Sequence, residues 1–186
     1  MFHIAAESAE DSDQIERLLD EAFGSGRQAK ISYRYREDVP PVESLSYVAR
    51  LDDGEGDREI VGSIRYWPIT VGQDSNPALL LGPLAIAPRL QGRGIGASLT
   101  FQTLDLAAWG GHRLVLLVGD LAYYKRFGFL PAAPHGIAMP DEKPERLLVT
   151  ELVEGVLASY AGDIVRAERQ TRDRRVADPR SSLILR

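Results

Sequence analysis

Apolar residues recur along this chain in two rhythms, and the shift from one to the other marks out its elements. Between Asp11 and Phe23 the apolar positions are Ile15, Leu18, Leu19, Ala22 and Phe23. Their three- and four-residue spacing predicts an amphipathic helix. Asp11 with Gln14 three positions on resembles a capping box, and Gly24-Ser25-Gly26 ends the run. "FHIAA" at 2–6 reads as a short strand before it. From Gln28 to Arg36 two readings stay open, a short helix or, because "SYRYR" alternates, an extended segment. Pro40 and Pro41 interrupt either one.

Strand patterns follow. "SLSYVARL" (44–51) and "EIVGSIRYWPITV" (59–71), joined by the turn-rich "DDGEGD", predict a hairpin. "NPALLLGPLAIAP" (76–88) predicts a third strand with a bulge or unpaired stretch at Gly82-Pro83, because proline has no amide hydrogen for the ladder. From Gly94 to Trp109 the period becomes helical, with Ala97, Phe101, Leu104 and Ala108 on one face and Ile95, Leu99 and Leu106 beside it. "HRLVLLV" (112–118) is the continuous apolar run of a buried strand. Leu121 to Phe127 predicts a short helix closed by Gly128 as a left-handed cap, with Phe129 packing back. "RLLVTELV" (146–153) is the last clear strand. This order describes an α/β fold, a mixed sheet with helices on its faces.

Composition narrows the class. The 186 residues favour one domain, and an apolar content of 44% is ordinary for a globular protein. The longest nearly apolar stretch, Ala78 to Ala87, is too short to cross a bilayer. The N-terminus lacks the basic region and apolar core of a signal peptide. With no cysteine there is no disulfide, thiolate nucleophile or cysteine-held zinc. A cytoplasmic protein without membrane attachment is expected. The net charge of −5 is uneven, because residues 165–186 hold seven arginines against Glu168, Asp173 and Asp178. The more acidic body argues against a nucleic-acid partner and would suit a cationic substrate. A domain over 1–163 and a flexible arginine-rich tail over 164–186 are expected. The tail's tip, Leu183-Ile184-Leu185, could dock on a second subunit and make a homodimer.

Chemistry enters at "LQGRGIGAS" (90–98), where Gly92, Gly94 and Gly96 follow a strand and open a helix. First-turn amides lack partners and the helix dipole is positive there, so an anion is favoured. Glycines also serve a plain tight turn, and spacing alone leaves both readings open. Gly92-x-Gly94-x-x-Ala97 formally fits the dinucleotide fingerprint. Pro88 to Gln91 intervenes after the strand, however, and the acidic residue about 20 positions on is missing.

More of the chain fits another pattern. "Gln91-Gly-Arg-Gly94-Ile-Gly96" resembles the Gln/Arg-x-x-Gly-x-Gly/Ala signature of the GNAT superfamily, the Gcn5-related N-acetyltransferases. "LAIAP" before it resembles that family's strand end, and "AYYKRFGF" (122–129) its second signature. With "LLVTELVEGVL" (147–157), these stretches look most like the YhbS-like branch of the superfamily, over roughly residues 2–160. The resemblance implies a mostly antiparallel sheet splayed at the cofactor site. It also implies acetyl transfer from acetyl-CoA to an amine in a ternary complex, with no metal.

Carried over by position, the backbone of Gln91, Gly92, Arg93, Gly94, Ile95 and Gly96 would bind the pyrophosphate, the Arg93 side chain adding a contact. Leu84, Ala85 and Ile86 would pair with the pantetheine arm, and the Ala85 amide could steady the oxyanion. Tyr124, four residues before Gly128, stands where the family has its general-acid tyrosine. Tyr123 matches the motif's packed aromatic. The family's strand glutamate is missing from "LLLGPLAIA", and "VGDLA" replaces its usual asparagine, so neither role is carried over. Asp120, His135, Glu37, Asp38 or a water chain could act as base, and none is assigned. Acceptor determinants are expected in 24–45 and 131–145. A CoA-binding regulatory module without turnover is the alternative.

Overall fold

The computed structural model describes residues 1–52 and 58–167. In chain order the elements are β1 (Phe2–Ala6), α1 (Ser12–Phe23), β2 (Tyr47–Asp52), β3 (Arg58–Val71), β4 (Asn76–Ile86) and α2 (Ile95–Trp109). They continue as β5 (Leu114–Val118), α3 (Leu121–Tyr124), β6 (Leu130–Pro131), β7 (Ile137–Ala138), β8 (Leu147–Glu151) and β9 (Gly162–Arg166). The sheet runs β1-β2-β3-β4-β5-β8-β6. Only β4–β5 is parallel on that path, because α2 carries the chain across between them. β9 pairs antiparallel with the end of β3, and β7 lies parallel beside β9.

Three local expectations are corrected. First, Asp11 does precede α1, but its side chain caps no amide of that helix: the Ser8 amide donates to Asp11 Oδ2 at 2.8 Å, closing a separate 3-10 turn, Ala9–Asp11, ahead of α1. Arg50 also donates to Asp11, at 2.6 Å. Burial raises the Asp11 pKa, but these hydrogen bonds outweigh it and hold the carboxyl below its usual range. Gln14 instead accepts the Ile60 amide at 3.2 Å and so serves the sheet. Second, residues 28–36 form neither a full helix nor a strand but two tight 3-10 turns, Arg27–Ala29 and Ile31–Tyr35. Buried Arg27 fastens them to α1 by donating to Asp20 at 2.8 Å, to Glu16, and to the Tyr33 hydroxyl at 3.1 Å. At the other end Arg166 donates to the Glu37 carbonyl at 3.0 Å.

Third, α2 buries Ile95, Leu99 and Leu104 as expected, but with Gly96, Thr100, Thr103 and Ala107, whereas Phe101, placed on the inner face by spacing, is 52% exposed. The threonines face inward because their hydroxyls return to the Gly96 and Leu99 carbonyls at 2.8 and 2.7 Å. Apolar spacing could not reveal that. The Thr103 hydroxyl also meets Tyr66 Oη at 2.9 Å, tying α2 to β3.

Alternation along β4 and β5 divides the core. Leu79, Leu81, Val115 and Leu117 join α1 and α2 residues in one apolar cluster. Leu80, Leu114 and Leu116 face a second, with Val149, Tyr160 and Ile164. Leu99 is fully buried in the first cluster. Leu99→Ala should therefore cost about 3 kcal/mol, read as a lower urea midpoint at unchanged slope.

The bulge expected at Gly82-Pro83 is present, for the β3–β4 register shifts between Ile64 and Tyr66. β9 lies beyond the strand read as last, and it carries the ordered sheet past residue 163 to Arg166. The rest of the arginine-rich tail, 168–186, and residues 53–57, expected to form a turn, lie outside the described residues. No helix among the described residues is long and apolar enough to cross a membrane.

Candidate active site

β4 and β5 pair only at Leu79–Val115 and Leu80–Leu116, then diverge. Beyond that point β4 is bonded on its β3 side alone. The Ala87 amide donates to the Val61 carbonyl at 2.9 Å, and the register sets Ala85 opposite Ser63. Antiparallel pairs alternate, so Ala85 also spends its amide and carbonyl on β3, whereas Leu84 and Ile86 turn theirs into the gap. This corrects the expected oxyanion donor, because the Ala85 amide faces away.

The chain then turns through Pro88–Leu90 into α2, with Gly92 and Gly94 at φ +76° and +84°. Both values lie in the left-handed region that favours glycine. The first amide of α2 to find a backbone acceptor is Ser98, which donates to Gly94 at 2.9 Å. Among the described residues, the amides of Gly92 through Ala97 make no hydrogen bond. Such a run at the positive end of a 15-residue helix makes a cradle for an anion.

Turn, open strand and α3 enclose a cavity of about 560 Å³. Leu84, Ala85, Ile86, Gln91, Gly92, Gly94, Ile95 and Gly96 all line it. Arg93 does not; it stands exposed beside the turn. Tyr123 and Arg126 also line the cavity. Tyr123 Oη lies 2.8 Å from where a β-carbon on Gly96 would stand, so that glycine lets the ring reach the helix start. Arg126 donates to the Tyr123 carbonyl at 2.9 Å, and its guanidinium sits 4.8 Å from that ring's centroid. Its placement three residues after Tyr123 on one helical face was the signal available in the sequence.

A second cavity, of about 650 Å³, adjoins the first, and Phe23, Leu84 and Tyr124 line both. Tyr124 packs edge-on against Phe129 at 5.7 Å and Tyr123 at 4.9 Å. A β-carbon on Gly119 would come within 2.5 Å of the Tyr124 ring, so β5 must end in glycine to admit it. Burial, with a smaller contribution from Tyr123, pushes the Tyr124 phenol well above its ordinary value, and it stays protonated at neutral pH.

The candidate bases are not brought together here. Asp120 accepts the Ala122 amide at 2.9 Å and caps α3. His135, Glu37 and Asp38 are exposed and line neither cavity. The carboxylate lining the second cavity is Glu142, from the loop expected to face the acceptor. Among the described residues no group of three or more His, Asp or Glu side chains is placed to hold a metal ion.

The model of the acetyltransferase (GNAT) family matches residues 12–129. The uncharacterized N-acetyltransferase YhbS of Escherichia coli K12 is 32% identical over 127 residues, 68% of this chain and 72% of that protein. YjhQ of the same strain, likewise an uncharacterized N-acetyltransferase, is 31% identical over 147 residues, 77% of each. Among solved structures, E. coli YhbS in complex with CoA superposes with a TM-score of 0.75 at 27% identity, covering 90% of both chains. A GNAT acetyltransferase from Brucella melitensis in complex with acetyl-CoA gives 0.65 at 25% identity, covering 90% of this chain and 96% of that one.

Proposed function

The chain belongs to the GNAT acetyltransferase family, and on that premise we propose that it transfers the acetyl group of acetyl-CoA to an amine held in the second cavity. The run of unbonded amides from Gly92 to Ala97, set beside the open edge of β4, carries this reading. The residues present fit the cofactor. The amide run and helix dipole would hold its pyrophosphate, and the free groups of Leu84 and Ile86 would pair with its amide-bearing arm. Arg126, stacked on Tyr123 at the cavity wall, takes over the cationic contact first expected of Arg93.

Acetyl-CoA supplies a thioester carbonyl: the amine nitrogen bonds to that carbon, the carbon–sulfur bond breaks, the nitrogen loses a proton and the sulfur gains one. Tyr124, lining both cavities, donates a hydrogen bond and then its proton to the departing sulfur, whose thiol pKa is roughly 8.5, and regains a proton from solvent. The inward-facing amides of Leu84 and Ile86 replace Ala85 as donors for charge developing on the carbonyl oxygen. The amine enters neutral and yields its proton to solvent reached through the second cavity. A cytoplasmic setting, where acetyl-CoA is available, suits this chemistry.

Calorimetry should show one acetyl-CoA bound per chain. Thiol release should then depend on an added amine. Absence of binding would overturn the assignment. Firm binding without release for any amine class would favour the regulatory module instead.

A further inference from the structure

The acceptor's own chemistry can be read from the second cavity. Resting on the transferase reading, we propose that the acceptor is a small amine that also carries an anionic group, a carboxylate or a phosphoryl group, received by Arg36 with Lys30 and Arg146. The cavity wall sets four cationic side chains, Lys30, Arg36, Lys143 and Arg146, against the single carboxylate of Glu142. Among the described residues none of the four forms an ion pair. Glu142 turns one oxygen to the Lys143 amide at 3.0 Å. A basic cavity in a chain of net charge −5 runs against the average field of the molecule.

Arg36 carries most of the argument. Its Nε and Nη1 are shielded from water and have no hydrogen-bond partner. Its guanidinium lies 4.5 Å from the Tyr33 centroid and 6.0 Å from that of Trp67. Trp67 is itself fixed, donating to the Gly82 carbonyl at 2.7 Å. Gly82, at the β4 bulge, leaves the room: a β-carbon there would stand 3.1 Å from Arg36 Nη2. The aromatic bracket orients the guanidinium but gives it no counter-charge, and a buried charge without a partner is costly.

Burial lowers the Arg36 pKa to about 10; Tyr33 partly offsets this, and the like charges of Arg27 and Arg65 add a smaller push downward. Lys30 is lowered by burial first, then by Arg146 and Arg36. An anion reverses each of these costs, and the planar fork of an arginine suits a carboxylate or phosphoryl group. A diamine would meet repulsion, and a neutral amine would leave the cluster unmatched. Because Tyr124 and Leu84 close the same cavity, an amine anchored by its anion stays beside the transfer point. The earlier inference of a cationic substrate from the acidic body is thereby replaced. The local charge decides.

The test uses the full chain and matched pairs, α-amino acids against their amides and O-phosphoethanolamine against ethanolamine, with putrescine as the cationic arm. In thiol release, anionic amines should exceed their neutral partners at least tenfold in kcat/KM. Amino acids and phosphoamine report the carboxylate and phosphoryl sources separately. Arg36→Gln should raise KM for the anionic amine at least tenfold, with kcat within threefold and acetyl-CoA Kd unchanged. Arg146→Gln, on an exposed residue, should move KM the same way by a smaller factor without risk to folding. Calorimetry of the same amines on the protein alone reads the cavity directly, so a failure to bind acetyl-CoA would remove the transferase reading and leave this test standing. Equal or better use of putrescine or the neutral amines overturns the proposal. So does an unchanged KM in both variants, or failure of every anionic amine to bind.

Discussion

Gly94→Glu should abolish acetyl-CoA binding, read as a rise in Kd of at least a hundredfold by calorimetry. Two physical effects combine. Gly94 sits at φ +84°, where any residue with a β-carbon bears about 1–2 kcal/mol of strain. Nothing lies within 4 Å of the position a β-carbon would take, so the folded protein accepts the side chain. The space it fills is the mouth of the amide cradle, and it brings a carboxylate to the proposed pyrophosphate site. Two like charges about 4 Å apart at an effective dielectric of 20 repel by about 4 kcal/mol, close to a thousandfold in affinity. Gly94→Asn is the control: asparagine tolerates the left-handed region and adds no charge, so its loss should be much smaller. An unchanged Kd in the glutamate variant would remove the phosphate from this turn.

Tyr124→Phe separates chemistry from binding. The ring's packing against Phe129, Phe127 and Tyr123, at 5.7, 6.1 and 4.9 Å, survives the change, so acetyl-CoA Kd should stay within twofold. Loss of the hydroxyl should lower kcat by about 10²–10³, the range for removing a positioned proton donor. The pH dependence gives a second check. Because the phenol is raised above its usual value of 10, it remains a donor as pH climbs from 8 to 10. Wild-type turnover should hold or rise over that interval as more amine is deprotonated. A fall there, absent from Tyr124→Phe, would mean that the tyrosine ionises early and that its surroundings differ from those described. Equal losses in kcat and in Kd would make the residue structural.

Much of the fold was legible because its signals are local. The apolar spacing of Ile15, Leu18 and Leu19, the missing amide hydrogen of Pro83 and the cap at Gly128 each fix structure within a few residues. The errors came where distant groups decide. Asp11 does stand at the start of α1, but its side chain was misread because its partners include Arg50, on β2, and α2 was rotated because buried Thr103 answers to Tyr66 on β3. β9 was missed because its partner lies on β3. At the site, motif spacing singles out the glycine turn and Tyr124, and the structure brings both to one cavity. The direction of the Ala85 amide depends on which strand takes it, and that emerges only with register. Arg36 was hidden for a similar reason. In sequence it is one cation in an ambivalent stretch, and its isolation appears only once Tyr33, Trp67 and Gly82 surround it.

The segment from Arg27 to Glu37 is held at its two ends, by Arg27 on α1 and by Arg166 beneath Glu37. Between those pins it contributes Lys30, Tyr33 and Arg36 to the cavity proposed for the acceptor and nothing to the glycine turn. On the proposed function, such an arrangement would serve as an exchangeable cassette. Its inner residues can diverge from one lineage to the next while the pins keep its path and the donor machinery goes on unaltered. Acceptor preference can then be inherited separately from the transfer reaction, and relatives sharing the turn and the tyrosine are free to serve different amines.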